Sequence, residues 1–408
     1  MRTNERPSVL ITDAATGSAV ATVRSLGRRG WRVIAADADA RSPGLQSRYV
    51  TERLVYPHPL AKPSDTVAAL QRAARERRVQ LMIPVTDAVI LPLSEARDQF
   101  AGICQLALPE PGALACVTDK QRTLQLAQQV GVPTPRSALV ENSREALRAG
   151  QSLGWPVVLK PVVSRLYRAC LPTEVLVVKY ADSPARLLEQ MRHFEGRCAV
   201  LLQEYCPGIG YGVELLLDHG RALAAFQHRR LREVPLSGGS SAFRESTALD
   251  ALLYGYAVRL LESLSWTGLA MVEFRVGPSG PRLMEVNGRM WGSLPLAVRC
   301  GMDFPARLAE LYLNGPPRNG PLPDTRYAVG VRARDLSLDV VWIASVLSGR
   351  GSYPYLPRPR RREAVLALLG MLNPTYKFDI VSLEDPCPGV AEVGALVGKV
   401  RARLRASV

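Results

Sequence analysis

Two glutamates and one asparagine are spaced so that a single β-hairpin would bring their side-chain oxygens together. Glu273 lies in one apolar stretch, Glu285 and Asn287 lie in the next, and residues 277–280 (Gly-Pro-Ser-Gly) supply a tight turn between them. Two carboxylates and an amide oxygen form a hard-oxygen set that suits Mg²⁺, which often takes one or two carboxylates together with substrate phosphates. The sequence therefore indicates a magnesium site that serves a phosphorylated ligand.

The register of this hairpin decides whether the two glutamates meet. If Val276 faces Arg282, then Glu273 lies directly opposite Glu285, with Cβ atoms about 4.5–5.5 Å apart. Asn287 follows Glu285 by two residues and projects from the same face. Like charges that face each other across two strands are destabilising, which favours a cation between them. The alternative is a solvated face on which each glutamate pairs with an arginine.

Lysines are scarce among the 52 basic residues, and two of them stand where a phosphate would meet them. Lys160 closes an apolar strand that Pro161 stops, and a lysine there serves a phosphate as a mobile point charge. Lys120 opens a helix, where the helix dipole disfavours a cation unless an anion binds nearby. Arg289 follows Asn287 by two residues and is expected to project from the same side. A guanidinium group there suits a transferring phosphoryl group. The alternative for Lys160 is a solvated strand end.

The end of another predicted strand offers backbone groups that could form hydrogen bonds with the edge of a planar base. Gln203, Glu204, Tyr205 and Cys206 come directly before Pro207-Gly208, which removes a backbone donor and opens the turn. Free N–H and C=O groups in such a segment would recognise an adenine edge. Taken alone, the segment is only the end of a strand.

A basic strand followed by a Gly/Ser loop is the candidate border of the substrate site. Arg230 lies in the strand and Arg244 in the loop segment 237–246, and both suit a substrate carboxylate beside a mobile lid. Arg244 is also a candidate catalytic residue. The alternative is an exposed hairpin with ordinary solvated arginines.

The elements that must position these residues fall into three regions. Residues 1–115 alternate strands and helices, which predicts an α/β domain with a parallel sheet covered on both faces. Residues 116–325 change to strand pairs flanked by helices, which indicates an α+β region. Residues 326–408 form a C-terminal extension, for which packing on the core is the default and docking to an anionic membrane or a partner is the alternative.

Apolar periodicity places the main elements. Strands are predicted at residues 7–13, 31–37, 81–85, 157–159, 175–179, 200–204, 213–218, 222–228, 270–276 and 282–287. Helices are predicted at residues 19–30, 67–77, 120–130, 184–193, 249–264, 338–347 and 362–372, with Asp119 as the cap of the third.

Composition excludes several classes of protein. The 408 residues are 47 % hydrophobic and 22 % charged, an ordinary globular balance, and the length predicts two or three domains. Seven scattered cysteines without a CxxC pair argue against a disulfide framework and a structural zinc site. We expect no signal peptide and no transmembrane segment, hence a cytoplasmic protein. The net charge of +15 raises the alternative of a nucleic-acid or membrane adaptor, but no nucleic-acid-binding motif is present.

These segments, in this order over residues 7 to 325, resemble the ATP-grasp superfamily, in particular the carbamoyl phosphate synthetase-like carboxylate–amine ligases. Lys120 and Lys160 resemble the two lysines of that family, and residues 203–208 resemble its adenine hinge. The remaining matches are the metal ligands Glu273, Glu285 and Asn287 and the phosphate-facing Arg289.

The resemblance implies an ATP- and Mg²⁺-dependent ligase, with Mn²⁺ as the alternative ion. It also implies a Rossmann-like pre-ATP-grasp domain at residues 1–115 and an ATP-grasp domain with two α+β subdomains at about 116–195 and 196–325. ATP would lie between these subdomains, a carboxylate would be activated as an acyl phosphate, and an amine would then attack it. The partners implied are a small carboxylate and a small amine, and a homodimer. We expect no nucleic acid, and peripheral membrane contact is disfavoured.

Two departures from the family pattern bear on this interpretation. The phosphate-covering loop of the family is usually Gly-rich, but residues 162–195 contain no glycine. Tyr211 stands where an acidic ribose contact is expected, and Glu214 is the candidate to replace it. The alternatives are therefore a nucleotide-binding module without turnover and a ligase that uses a thiol or bicarbonate.

Overall fold

The structure is a computed structural model that describes residues 6–168, 171–317, 323–349 and 358–405. Residues 169–170 of the glycine-free segment therefore lie outside the described part of the chain, as does Cys170. Where helices are described, none is long and apolar enough to span a membrane.

The first region forms a five-stranded parallel sheet in the order β3-β2-β1-β4-β5, with α1–α4 beside it. Its strands are β1 (Ser8–Ile11), β2 (Arg32–Asp37), β3 (Glu52–Val55), β4 (Leu81–Ile83) and β5 (Gln105–Leu106), and its helices are α1 (Gly17–Arg28), α2 (Pro63–Glu76), α3 (Asp87–Glu95) and α4 (Pro111–Thr118). Every residue of β1 and β4 is buried, as expected for parallel strands that are covered on both faces. The predicted α/β region is confirmed.

The second region contains a four-stranded antiparallel sheet in the order β10-β7-β11-β6 and a separate hairpin, β8–β9. Its elements are α5 (Lys120–Gln129), β6 (Ser137–Val140), α6 (Ser143–Leu153), β7 (Val157–Pro161), β8 (Arg165–Arg168), β9 (Leu171–Val175), β10 (Lys179–Ala181), α7 (Pro184–Met191) and β11 (Val200–Glu204). The Asp119 carboxylate caps α5 by accepting from the Arg122 N–H, as predicted.

One predicted strand in this region is wrong. Residues 175–179 are not one strand, because β9 ends at Val175 and β10 begins at Lys179. The intervening residues 176–178 belong to neither strand, although the Leu176 N–H donates to the Ser164 carbonyl and the Leu176 side chain is buried. A run of apolar residues does not distinguish such a connection from a strand.

The third region forms a seven-stranded sheet in the order β16-β15-β12-β13-β14-β17-β18, antiparallel except for its last pair. Its elements are β12 (Ile209–Asp218), β13 (Arg221–Val234), β14 (Ser240–Ser246), α8 (Ala251–Glu262), β15 (Gly268–Gly277), β16 (Gly280–Asn287), α9 (Leu294–Arg299), α10 (Phe304–Asn314), β17 (Arg332–Arg334), α11 (Leu336–Ser348), α12 (Arg361–Leu369), β18 (Lys377–Phe378) and α13 (Pro386–Arg405). Because β17 and β18 extend this sheet, the C-terminal extension packs on the core. The division at residue 325 remains a prediction.

Two apolar cores link the five-stranded and seven-stranded sheets, whereas the four-stranded sheet has its own core with α6 and α7. The C-terminal segment is tied to the first region through Asp385. This buried carboxylate accepts from Arg24 Nε at 2.9 Å, from Ser47 Oγ at 2.7 Å and from the Arg48 N–H at 3.0 Å. Apart from Leu201, which belongs to one of the two shared cores, the four-stranded sheet is packed separately, and a cleft opens beside it.

In the β15–β16 hairpin the two glutamates pair as predicted, but the register at the turn differs from the predicted one. At the turn Val276 pairs with Pro281, and Arg282 pairs with Arg275, so the register assumed from the sequence is wrong by one residue there. A β-bulge that leaves Met284 unpaired restores the register, and Glu273 lies opposite Glu285. Bulges of this kind re-aim side chains and are common beside active sites.

Candidate functional site

A cleft of about 660 Å³ lies between the four-stranded and seven-stranded sheets. Ten of the predicted site residues line it: Lys160, Gln203, Glu204, Tyr205, Cys206, Arg230, Glu273, Glu285, Asn287 and Arg289. Lys120 lines an adjoining cavity, and Arg244 and Glu214 line neither. The fold thus brings together residues that are up to 169 positions apart in the sequence (Lys120 to Arg289).

The predicted metal ligands form one cluster at the base of this cleft. Asn287 Nδ2 donates to Glu273 Oε1 at 2.9 Å and to Glu285 Oε1 at 3.5 Å. Glu273 Oε2 also forms a salt bridge of 2.5 Å with Arg230 Nη2. Glu285 forms no salt bridge within 4.0 Å among the described residues, so its carboxylate is the less engaged of the two.

The surroundings shift the pKa values of the two glutamates in opposite directions. Burial raises the pKa of Glu273, and Arg230 opposes this only in part because Glu285 adds a like charge. Burial also acts to raise the pKa of Glu285, but Lys120, Lys160 and Arg230 outweigh it and hold that pKa below its usual range. Glu285 is therefore the carboxylate that is most firmly ionised at neutral pH.

The donor set of this cluster fits a magnesium ion. Rotating the Asn287 amide by 180°, which exchanges atoms that are hard to distinguish, would present an oxygen beside the two carboxylates. No group of three or more His, Cys, Asp or Glu side chains arranged for a metal occurs in the described ranges. The cluster thus supplies few protein ligands, as expected when phosphate oxygens complete the coordination of Mg²⁺.

Both predicted lysines lie close to Glu285, but one donates to a backbone carbonyl and the other to a hydroxyl group. Lys160 Nζ donates to the carbonyl of the bulged Met284 at 3.5 Å, and Lys120 Nζ donates to Ser164 Oγ at 2.7 Å. Burial lowers the pKa of Lys160 to about 8, with Glu285 opposing and Lys120 adding to the effect. Burial lowers the pKa of Lys120 as well. A bound polyphosphate would stabilise the charged forms of both lysines, because its negative charge compensates for their burial.

Arg289 is held in place by Asp87, which was not predicted from the sequence as a site residue. Arg289 Nε donates to Asp87 Oδ1 at 2.9 Å, and Nη1 donates to the Met290 carbonyl at 2.9 Å. Asp87 opens α3 just after β4, at the carboxyl end of the parallel sheet. That position is a general signal for ligand sites in such sheets and would have pointed to Asp87.

The hinge segment places two hydrogen-bonding groups on the cleft wall. Gln203 is 2 % exposed, and its Nε2 has no partner among the described residues. The Cys206 N–H is likewise without a partner there, whereas the Glu204 carboxylate is taken up by Arg136. Gly208 is required by geometry, because its φ is +144° and a Cβ would lie 2.3 Å from the Val276 carbonyl oxygen.

Arg230 lies at the cleft, but its charge is largely neutralised by the protein. Besides Glu273 it contacts Glu233 Oε1 at 3.3 Å through Nη1, which also donates to the Gly239 carbonyl at 2.8 Å. Arg275 completes this network with a salt bridge of 3.0 Å to Glu233 Oε2 and lines the same cleft. Arg275 was not predicted from the sequence, although it lies two residues after Glu273 on the same strand.

Arg244 does not have the position that a catalytic or substrate-binding residue requires. It is 1 % exposed and forms a buried ion pair with Asp379, while its Nη1 donates to the Ser241 carbonyl at 3.1 Å. Asp379 follows β18, so this pair ties the C-terminal extension to β14. The structure therefore assigns Arg244 a structural contact in place of the predicted contact with substrate.

Glu214 lies behind the wall of the cleft and does not line it. Its side chain is fully buried, with Oε1 at 2.8 Å from His228 Nδ1 and accepting from Ser293 Oγ at 3.2 Å. Burial raises the pKa of Glu214 well above its usual range and lowers the pKa of His228 well below its own. The predicted ribose contact by Glu214 does not agree with this position, because an interior carboxyl cannot meet a sugar in the cleft.

Comparisons with known proteins agree with the family resemblance. The family described as "ATP-grasp in the biosynthetic pathway with Ter operon" matches residues 197–334. The formate-dependent phosphoribosylglycinamide formyltransferase of Synechococcus sp. (strain RCC307) is 30 % identical over 297 residues, which cover 68 % of this chain and 71 % of that protein. Matches to the same enzyme in two other strains of that genus cover only 33 % and 38 % of its length.

A second relative and a solved structure extend this similarity. The carbamoyl phosphate synthase large chain of Xanthomonas axonopodis pv. citri (strain 306) is 24 % identical over 238 residues, which cover 55 % of this chain and 21 % of that protein. The biotin carboxylase domain dimer of Hydrogenobacter thermophilus 2-oxoglutarate carboxylase, in complex with MgADP, ADP and bicarbonate, has a TM-score of 0.62. It is 16 % identical, and the match covers 81 % of this chain and 74 % of that one.

Proposed function

The chain belongs to the ATP-grasp superfamily, and from that premise we propose that it is an ATP- and Mg²⁺-dependent ligase that joins a carboxylate to an amine. ADP and phosphate would be the other products. The observation that carries the proposal is a single cleft that is lined both by Lys160, Glu273, Glu285, Asn287 and Arg289 and by the hinge 203–206.

In this proposal the nucleotide spans the cleft from the hinge to the acidic cluster. Gln203 Nε2 and the Cys206 N–H, both without partners in the described structure, would meet the edge of the base. Lys160 and Lys120 would neutralise phosphate oxygens, which is the main task of a protein in phosphoryl transfer. A cleft of about 660 Å³ lies within the usual range for small-molecule sites.

Glu285, Glu273 and Asn287 would hold the magnesium ion, which when bound supplies positive charge to the phosphate oxygens. Arg289, which is positioned by Asp87, would stabilise the negative charge on the transferring phosphoryl group. Arg230 would favour the ionised form of Glu273, because the salt bridge offsets part of the cost of burying that carboxylate. The four-stranded sheet would exclude water from the acyl phosphate by covering the cleft.

Several finer points stay predictions from the sequence. These are the amine as acceptor in place of a thiol or bicarbonate, Mg²⁺ in place of Mn²⁺, the homodimer, the cytoplasmic location and the domain boundaries. The structurally similar biotin carboxylase domain of Hydrogenobacter thermophilus is a dimer, which supports the oligomeric prediction.

Thermal denaturation with nucleotide tests the proposal directly. We expect ATP with Mg²⁺ to stabilise the protein by about 2.7 kcal/mol at a hundredfold excess over its dissociation constant, because a ligand that binds only the native state raises its stability. ATP with a chelator should stabilise it far less. If millimolar ATP with Mg²⁺ leaves the melting temperature unchanged, the nucleotide site proposed here does not exist.

The lowered pKa of Lys160 predicts a pH dependence of ATP binding. With a pKa of about 8, the charged fraction of Lys160 in the free protein falls about tenfold between pH 7 and pH 9. We therefore expect ATP affinity, measured by titration calorimetry, to weaken by up to about tenfold over this range. The Lys160→Arg variant should bind with little change over the same pH range, and an equally steep decline in that variant would contradict the assignment.

A further inference from the structure

A second cavity of about 690 Å³ adjoins the nucleotide cleft. The two cavities share Glu285, Asn287 and Arg289 in their linings, so they meet at the acidic cluster. A group that receives a phosphoryl from a nucleotide in the first cavity must reach this junction. The second cavity is therefore the space from which an acceptor carboxylate would approach.

Two cationic side chains stand at the junction end of the second cavity, beside the carboxylates of Asp87 and Glu285. Lys120 and Arg289 both line it, and Lys120 is held toward it by Ser164 at 2.7 Å. Arg165, on β8, also lines the cavity, and its Nη1 is buried without a hydrogen-bond partner among the described residues. An unsatisfied buried guanidinium nitrogen calls for an acceptor, and a carboxylate oxygen would supply one.

Away from this end the wall of the cavity is predominantly hydrocarbon. Its apolar side chains come from α3, α4, the β8–β9 hairpin and β16, and they include Leu91, Leu114, Val117, Leu166, Val175 and Val286. Both Leu166, which is half-buried, and Val175, which is 51 % exposed, line the cavity. Ser94, Glu95, Thr118 and Tyr167 also line the cavity, but most of its wall is apolar. A highly charged body bound here would therefore lose more hydration than these few groups replace.

We propose that the acid activated by this protein is an apolar carboxylic acid, whose carboxylate lies between Lys120, Arg165 and Arg289 and whose hydrocarbon body packs on the wall formed by Leu91, Leu114 and Leu166. This inference rests on the proposed ligase function and adds the class of substrate to it. The cavity is far larger than a one-carbon acid requires, and its volume suits a body of many non-hydrogen atoms.

The bonds made and broken are those of two displacements. A carboxylate oxygen bonds to the γ-phosphorus of ATP, and the bond from that phosphorus to the bridging oxygen breaks, so that ADP leaves with the electron pair. The nitrogen of the amine then bonds to the acyl carbon, the carbon–oxygen bond to phosphate breaks, and the amine loses a proton to solvent. No oxidant or reductant is needed.

Hydroxylamine as the acceptor makes the test independent of the natural amine, because it converts an acyl phosphate to a hydroxamate that can be measured directly. With ATP, Mg²⁺ and straight-chain acids from acetate to octanoate, we expect kcat/KM to rise about fourfold for each added methylene until the cavity is filled. A flat dependence on chain length, or hydroxamate from none of the acids although ATP with Mg²⁺ still raises the melting temperature, would overturn the inference.

Variants of the apolar wall localise the effect. Leu166→Asp is expected to lower kcat/KM for hexanoate at least tenfold while the KM for ATP stays within twofold of wild type. Leu91→Asn, on a different element, should act in the same direction, so a folding defect of one variant does not decide the result. The matched control is Leu252→Asp on α8, because Leu252 is 52 % exposed and lines neither cavity.

The two proposals fail in distinguishable ways. If wild-type protein shows no thermal shift with ATP and Mg²⁺, the ligase function itself is wrong. If the shift is present but Leu166→Asp and Leu91→Asn both turn over hexanoate like the control, then the nucleotide site stands and the apolar acid site does not.

Discussion

Replacing Glu285 by glutamine is expected to reduce ATP-dependent phosphate release by about a thousandfold. The substitution keeps the shape of the side chain but removes the charge that would hold Mg²⁺ at the base of the cleft. Glu285 is the better of the two glutamates for this test, because its pKa is held low by neighbouring lysines and it forms no salt bridge among the described residues. Glu273, by contrast, also neutralises Arg230.

The measurement is phosphate release as a function of Mg²⁺ concentration, combined with thermal denaturation in ATP and Mg²⁺. Glu310→Gln is the matched control, since Glu310 is an exposed glutamate on α10 that lines neither cavity. A variant that folds like wild type but has lost both turnover and the Mg²⁺-dependent thermal shift would place the ion on the β15–β16 hairpin. Undiminished turnover at the same Mg²⁺ concentration would remove Glu285 from the site.

Arg244→Met is expected to destabilise the protein by about 3–5 kcal/mol without a specific effect on substrate binding. The ion pair between Arg244 and Asp379 is buried on both sides, and removing one partner leaves an uncompensated charge in the interior. Burial already raises the pKa of Asp379 to about 6 with Arg244 in place, and loss of the guanidinium would raise it further. The pair also joins β14 to the C-terminal extension, so partial release of that extension is expected first.

The pH dependence of this variant gives a second readout. In the variant the folded protein binds a proton on Asp379 more tightly than the unfolded chain does, so the stability contributed by protonation is present at low pH and is lost as pH rises through the folded pKa. The destabilisation measured by urea denaturation should therefore be smaller at pH 5 than at pH 8. Arg41→Met, at a side chain that is 90 % exposed, should change stability by no more than about 0.5 kcal/mol.

The opposite pattern would restore the catalytic role that the sequence favoured for Arg244. That role predicts wild-type stability together with a raised KM or a lowered kcat. Because Arg230 pairs directly with Arg244 across β13 and β14 but contacts Glu273 in the cleft, the same assays on Arg230→Met should show the kinetic effect. The two neighbouring arginines thus serve as controls for each other.

The family and the α/β plus α+β fold were predicted from the sequence and are confirmed, and the reasons are local. The buried parallel strands of the first region are continuous apolar runs, and the helix after Asp119 carries its own cap. The pairing of Glu273 with Glu285 was also predicted, although the turn register was wrong and a bulge at Met284 compensates for it. Strand alternation alone indicates which face a side chain takes but not where a bulge is inserted.

What the sequence by itself determined was the set of residue types and their order along the chain, which carry the chemistry and the family. What only the tertiary structure decided was which charged side chains face the cleft. Arg244 meets Asp379 from 135 residues away, and Arg289 is fixed by Asp87 from 202 residues away. A buried charge must take a partner, and that partner is supplied by whichever distant segment the packing brings to it. Local patterns hold no information about such distant partners, so Arg244 was placed at the substrate and Asp87 was overlooked.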